Sequence, residues 1–98
     1  MSKILKRANE VFGPVKTIIK ASEESAELAA AIAKLGCADG PCTDEWAGVV
    51  DEMADVEITT ERLSMLYPTG RDDFEEAVFK RKAFKLKRLE GVLDEYTA

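Results

Sequence analysis

Two acidic clusters, Glu24-Ser25-Ala26-Glu27 and Glu52-Met53-Ala54-Asp55, are the part of this sequence whose residue types and spacing can do chemistry. Carboxylates three residues apart on a helix project from one face, with Cβ atoms about 5–6 Å apart. The surrounding pattern is repeated, because Glu23-Glu24-x-Ala26-Glu27-Leu28 returns 28 positions later as Asp51-Glu52-x-Ala54-Asp55-Val56. Four carboxylates that converge inside a small helical protein repel one another unless a cation sits among them. The chain has no histidine, so the Glu-x-x-His ligand set of di-iron bundles cannot be built. An EF-hand loop is also missing. An all-oxygen site of this kind suits Mg²⁺, with Mn²⁺ as a substitute.

The elements that must position these groups follow from the chain breakers. Gly13-Pro14, the stretch Gly36 to Pro41, and Pro68-Thr69-Gly70 divide the chain into four helical stretches, about 2–12, 14–35, 44–66 and 72–96. The second has Pro14 in its first turn and Gly36 as its C-cap, with an apolar stripe of Ile18, Ala21, Ser25, Leu28, Ile32 and Leu35. The third has Thr43 as N-cap and the stripe Trp46, Val49, Val50, Met53, Val56, Thr60, Leu63 and Tyr67. Nothing alternates like a strand. The expected fold is all-α, a four-helix bundle around a central antiparallel hairpin.

Counting along that hairpin tests whether the acids meet. Glu27 lies nine residues before Gly36 and Glu52 nine after Thr43, while Glu24 and Asp55 are each twelve away. At about 1.5 Å of rise per residue the side chains stand at matching heights, Glu27 opposite Glu52 and Glu24 opposite Asp55. Each pair flanks the same edge of its apolar stripe, so helices packed about 8–10 Å apart can share one or two ions.

The fourth stretch supplies the opposite charge. Residues 79–88 hold six basic side chains and no acidic one. Phe74, Val78, Leu89, Val92 and Tyr96 mark its apolar face, and Lys82 and Lys85 fall within that face, with Arg81 and Arg88 along one edge. Snorkelling accounts for such placement on structural grounds alone. On the functional reading these groups meet a polyphosphate clamped to the acids by metal. The reaction class this charge pattern predicts is Mg²⁺-dependent phosphoanhydride hydrolysis. The missing P-loop argues against a Walker-type ATPase.

Composition sets the outer limits. At 98 residues the chain is expected to be one domain with a thin core, and 46 % apolar with 34 % charged residues describes a globular protein. A net charge of −5 argues against nucleic-acid binding. No apolar run reaches membrane-spanning length and the first residues lack a signal-peptide pattern, so the expected location is cytoplasmic. Cys37 and Cys42 read as ordinary loop thiols; Phe12 and Trp46 could stack on a base, but aromatics at these positions are more often core, and that is the expectation.

These residues resemble the all-α nucleoside triphosphate pyrophosphohydrolases of the MazG-like group, in its small single-domain form. That family's signature of Glu-x-x-Glu, a spacer, then Glu-x-x-Asp reads here as Glu24 to Glu27, a spacer of 24 residues, and Glu52 to Asp55. The resemblance runs from Val11-Phe12-Gly13 through Lys82-x-x-Lys85-Leu86-x-Arg88-Leu89. It implies cleavage between the α and β phosphates of an NTP or dNTP to give the monophosphate and pyrophosphate. It implies that Glu24, Glu27, Glu52 and Asp55 hold Mg²⁺ and that Lys82, Lys85 and Arg88 contact phosphate. It further implies a homodimer or homotetramer that completes the bundle. The chain departs from the pattern at Thr17, where many small members carry Gln, and at Lys82, where some carry Asn. Two other readings share these residues: a non-enzymatic helical module that binds a partner through its apolar stripes, and a nucleotide sensor of the same fold without turnover.

Overall fold

A computed structural model describes residues 2–98, with side chains from Lys3 onward. Among the described residues the regular structure is all helical: α1 (Ser2–Cys37), α2 (Thr43–Ser64) and α3 (Arg71–Thr97). The chain divides into two compact units, 1–66 and 67–98.

The first two expected stretches are one element with a break inside it. Gly13 stands at φ 83° and ψ 168° within α1, a region of backbone space open essentially to glycine alone. Pro14 follows, with its φ already set for a helical first turn. The Thr17 hydroxyl donates to the Gly13 carbonyl at 2.8 Å and so gives that carbonyl a local donor beside the break. Thr17 is only 1 % exposed.

α1 and α2 pack against each other as an antiparallel hairpin. Asn9 meets Arg62 near one end, while Glu24 meets Glu52 and Asp55 further along. Thr43 is the first residue of α2 and not its cap, which is Cys42 in a left-handed conformation with φ 58°. Asp44 and Glu45 occupy the first turn, where negative charge suits the helix dipole. Both cysteines are free thiols, and the Cys42 Sγ donates to the Gly40 carbonyl at 3.0 Å.

The seam between the two helices differs from the expected stripes. On α1, Thr17, Ala21, Glu24, Leu28, Ala31 and Leu35 are buried or half-buried, at the alternating four-three spacing of a coiled-coil seam. Glu45, Val49, Glu52, Val56, Thr59 and Leu63 form the matching set on α2. The α1 stripe is therefore rotated by about one residue, so that Glu24 takes the inward place expected for Ser25. Trp46, Val50 and Met53 are exposed at 55 %, 67 % and 41 %. Phe12, Ile18 and Ile32 are also about half exposed. Within this unit the two aromatics expected in the core lie on its surface.

The second unit is α3 with the turn before it. Gly70, at φ 107°, begins the helix, and its amide donates to the Tyr67 carbonyl at 2.9 Å. Tyr67 and Phe74 meet edge to face with centroids 5.5 Å apart. Lys82 and Lys85 line a groove of about 570 Å³ with Tyr67, Phe74, Val78 and Leu89. The Arg81 guanidinium lies 4.9 Å over the Phe84 ring. Among the described residues no helix is long and apolar enough to cross a membrane.

Candidate functional site

Ala21 and Ala31 keep the α1 seam narrow beside Glu24, and Val49 and Val56 bracket Glu52 on the α2 side. Small and β-branched neighbours let the two backbones approach, and this forces the intervening carboxylates toward each other. One oxygen from each of Glu24, Glu52 and Asp55 falls in a group no wider than 4.8 Å. Glu24 is 6 % exposed. Its Oε2, and the Oε2 of Glu52, are buried with no hydrogen-bond partner. Orphaned carboxylate oxygens in a helix seam are costly, because each has lost its water without a donor in exchange. A divalent cation is the natural donor-free partner for such a set.

The other Glu24 oxygen is occupied. Lys20, one turn earlier, places its Nζ 3.0 Å from Glu24 Oε1 and 3.9 Å from Glu23 Oε2. The hydrogen bond and charge of Glu24 raise the Lys20 ammonium above the usual lysine value. Lys20 is half exposed, so it is an incomplete counterion for a buried cluster. Within the cluster it reaches only one oxygen of Glu24 and leaves the facing Glu52 and Asp55 unanswered.

Glu27 stands at the rim. It is exposed and is not one of the three residues whose oxygens gather. The charge of Glu24, with that of Glu52, nevertheless pushes the Glu27 carboxyl above the ordinary glutamate range. Glu27 and Glu52 also border a hollow of about 420 Å³ with Lys34, Asp44 and Glu45 toward the loop end of the hairpin.

The structure thus brings Glu24, Glu52 and Asp55 into one nook, sets Glu27 at its edge, and carries Lys82, Lys85 and Arg88 exposed on α3 in the second unit. Thr59 stiffens the acidic turn of α2. Its buried hydroxyl donates to the Asp55 carbonyl at 3.0 Å and reaches Val56 at 3.2 Å.

A polar lock toward the other end of the hairpin was not legible in the sequence. Arg62 donates from Nε to Asn9 Oδ1 at 3.0 Å and from Nη2 to Thr17 Oγ1 at 3.3 Å. Asn9 answers by donating to the Arg62 carbonyl at 2.9 Å. The Arg62 guanidinium also lies 5.8 Å from the Phe12 ring centroid, within cation–π range. A lone arginine on an otherwise apolar and acidic helix is the signal that could have pointed here. Comparison with protein-family models, curated proteins and solved structures gives no match.

Proposed function

We propose that this chain is a cytoplasmic, Mg²⁺-dependent nucleoside triphosphate pyrophosphohydrolase of MazG-like type, cleaving the α–β phosphoanhydride of an NTP or dNTP to the monophosphate and pyrophosphate. The observation that supports this reading above all is the pair of buried, unpartnered Oε2 atoms of Glu24 and Glu52 beside Asp55. A hairpin this small can bury facing carboxylates only at a cost in repulsion and desolvation. A bound divalent ion removes that cost.

Glu24, Glu52 and Asp55 would hold the ion, with Glu27 as a fourth carboxylate at the rim. Mg²⁺, or Mn²⁺ in its place, would supply polarisation of phosphoryl oxygens and activation of water, chemistry that needs no histidine base. The seam holds the three acids in fixed register, and Lys20 tempers the negative charge that would otherwise repel a polyphosphate. Lys82, Lys85 and Arg88 are the candidate phosphate contacts, on the strength of their charge in a run without acids. The exposed row of Trp46, Val50 and Met53, with Ile18 and Ile32 on α1, supports a homodimer or homotetramer in which a bundle is completed between copies.

The same exposed row favours a second reading, a non-catalytic helical module that docks a protein partner. One experiment separates the two. The protein is incubated with all eight common NTPs and dNTPs plus Mg²⁺, and products are resolved by chromatography. Monophosphate and pyrophosphate are expected, and Asp55→Asn should cut turnover by roughly 100-fold or more, since even the partners of metal ligands carry effects of that order. Release of orthophosphate and diphosphate would defeat the proposed bond cleavage, and no turnover with any triphosphate would favour the docking module.

A further inference from the structure

The hydrogen-bonded network of Asn9, Thr17 and Arg62 stands at the same distance from the acidic nook on both helices. Thr17 precedes Glu24 by seven residues and Arg62 follows Asp55 by seven, a spacing that returns a helix to nearly the same face two turns on. We infer that this network is the positioning element of the nook. It holds α1 at the rotation that keeps Glu24 turned into the seam when no cation is there to attract it. The inference deepens the metal reading above and rests on it for the ion, while the rotation itself is read without metal.

Two rotations of α1 compete. Both bury Ala21, Leu28 and Leu35. The observed one adds Thr17, Glu24 and Ala31, whereas the stripe expected from the sequence takes Ile18, Ser25 and Ile32 instead. Ile18 and Ile32 are left 52 % and 48 % exposed. On burial alone the second rotation is better, because two isoleucines would leave water and a carboxylate would return to it. Repulsion of Glu24 by Glu52 and Asp55 pushes the same way. Ala21 and Ala31 admit close approach but supply no force against either effect.

The network supplies that force through directional bonds. Thr17, at 1 % exposure, donates to the Gly13 carbonyl and accepts from Arg62 Nη2 at 3.3 Å. Asn9 uses both ends of its amide, accepting from Arg62 Nε at 3.0 Å and donating to the Arg62 carbonyl at 2.9 Å. That carbonyl belongs to the last turn of α2, where carbonyls lack partners within the helix. Asn9 and Thr17 are eight residues apart, about 12 Å of rise in an unbroken helix, yet their side-chain oxygens lie 3.3 Å from each other. The break at Gly13 is what lets both meet one guanidinium. Turning Glu24 outward would carry Thr17 off Arg62, the one basic residue of α2. Buried polar contacts of this kind select one arrangement of packed helices over its neighbours.

The test uses the full chain and three variants. Thr17→Val keeps the side-chain shape and removes the hydroxyl, Arg62→Gln removes the fork at a half-buried position, and Thr17→Ser retains the hydroxyl as the conservative control. Carboxylates are footprinted in EDTA with a carbodiimide and glycine ethyl ester and read residue by residue by mass spectrometry, with exposed Glu10 as the internal reference. Labelling of Glu24 is expected to rise by roughly five-fold or more in Thr17→Val and Arg62→Gln as the acid regains water, and to stay at the wild-type rate in Thr17→Ser. The Mg²⁺ dissociation constant from calorimetry is expected to rise by about 10-fold or more in the same two variants, the range seen when the partner that orients a metal ligand is lost. Thr17→Ser should bind Mg²⁺ as wild type does.

Wild-type labelling of Glu24 in both Thr17→Val and Arg62→Gln overturns the inference, and a lowered Tm alone would then mark the network as ordinary packing. Raised labelling with unchanged Mg²⁺ affinity overturns it too, because Glu24 would need no holding. A wild type that binds no Mg²⁺ defeats the metal reading instead, and the footprint still decides the rotation.

Discussion

Replacing Glu52 by Gln should stabilise the metal-free protein, and the size of the gain can be worked from the seam. Glu52 faces Glu24 and Asp55 with oxygens inside a 4.8 Å group, and among the described residues no ion pair to Glu52 relieves it as Lys20 relieves Glu24. At an effective dielectric of about 20, two unit charges at this separation repel by about 3 kcal/mol. Two such pairs set an upper bound, because solvent at the half-buried edge relieves part of it. The amide of Gln can also donate to the orphaned Oε2 of Glu24, a contribution of about 1 kcal/mol. A net gain of about 1–3 kcal/mol follows, which for a chain of this size raises Tm by roughly 4–20 °C.

The assay is thermal unfolding followed by circular dichroism in EDTA and then in Mg²⁺. In EDTA, Glu52→Gln should melt above wild type. Adding Mg²⁺ at about a hundred times its dissociation constant should stabilise wild type by about 2.7 kcal/mol and the variant by much less, so that the difference narrows or reverses. A variant that melts at or below wild type in EDTA, or one that gains as much from Mg²⁺ as wild type does, would refute the reasoning about an ion-requiring seam.

Two further outcomes follow from local geometry. Gly13→Ala should destabilise by about 1–3 kcal/mol in urea unfolding, because the φ of 83° and ψ of 168° are strained for any side chain, even though nothing lies within 4 Å of an added Cβ. The raised carboxyl of Glu27 fixes the sign of a pH effect. Folding holds its proton more tightly, so its unfavourable contribution is absent below the ordinary glutamate range and develops as pH climbs through that range toward the raised value. The stability advantage of Glu27→Gln over wild type in EDTA should therefore grow with pH over that window, and a flat difference in paired denaturant titrations would count against it.

What the sequence determined by itself was local. Gly and Pro punctuation placed α2 and α3 to within a residue or two of their observed ends, and helical periodicity excluded strands, because breakers and a 3.6-residue period act through the backbone of each segment alone. Counting from the hairpin loop also put Glu27 level with Glu52 and Glu24 level with Asp55, since rise per residue is fixed. The break at Gly13 was legible as punctuation, but whether it ended a helix or interrupted one was not.

Rotation about the helix axes was decided only in the tertiary structure. α1 carries two apolar edges, one through Ala21, Leu28 and Leu35 and another through Ile18 and Ile32, and a two-helix hairpin can bury only one of them. Periodicity gives the two edges similar weight. The small side chains of Ala21 and Ala31 tip the choice by allowing close approach, which turns Glu24 inward and leaves Ile18, Trp46 and Val50 outside. The same rotation aligns Arg62 with Asn9, across 53 positions of sequence, and with Thr17 across 45. A pairing at that separation comes from packing, and no local pattern in the chain encodes it.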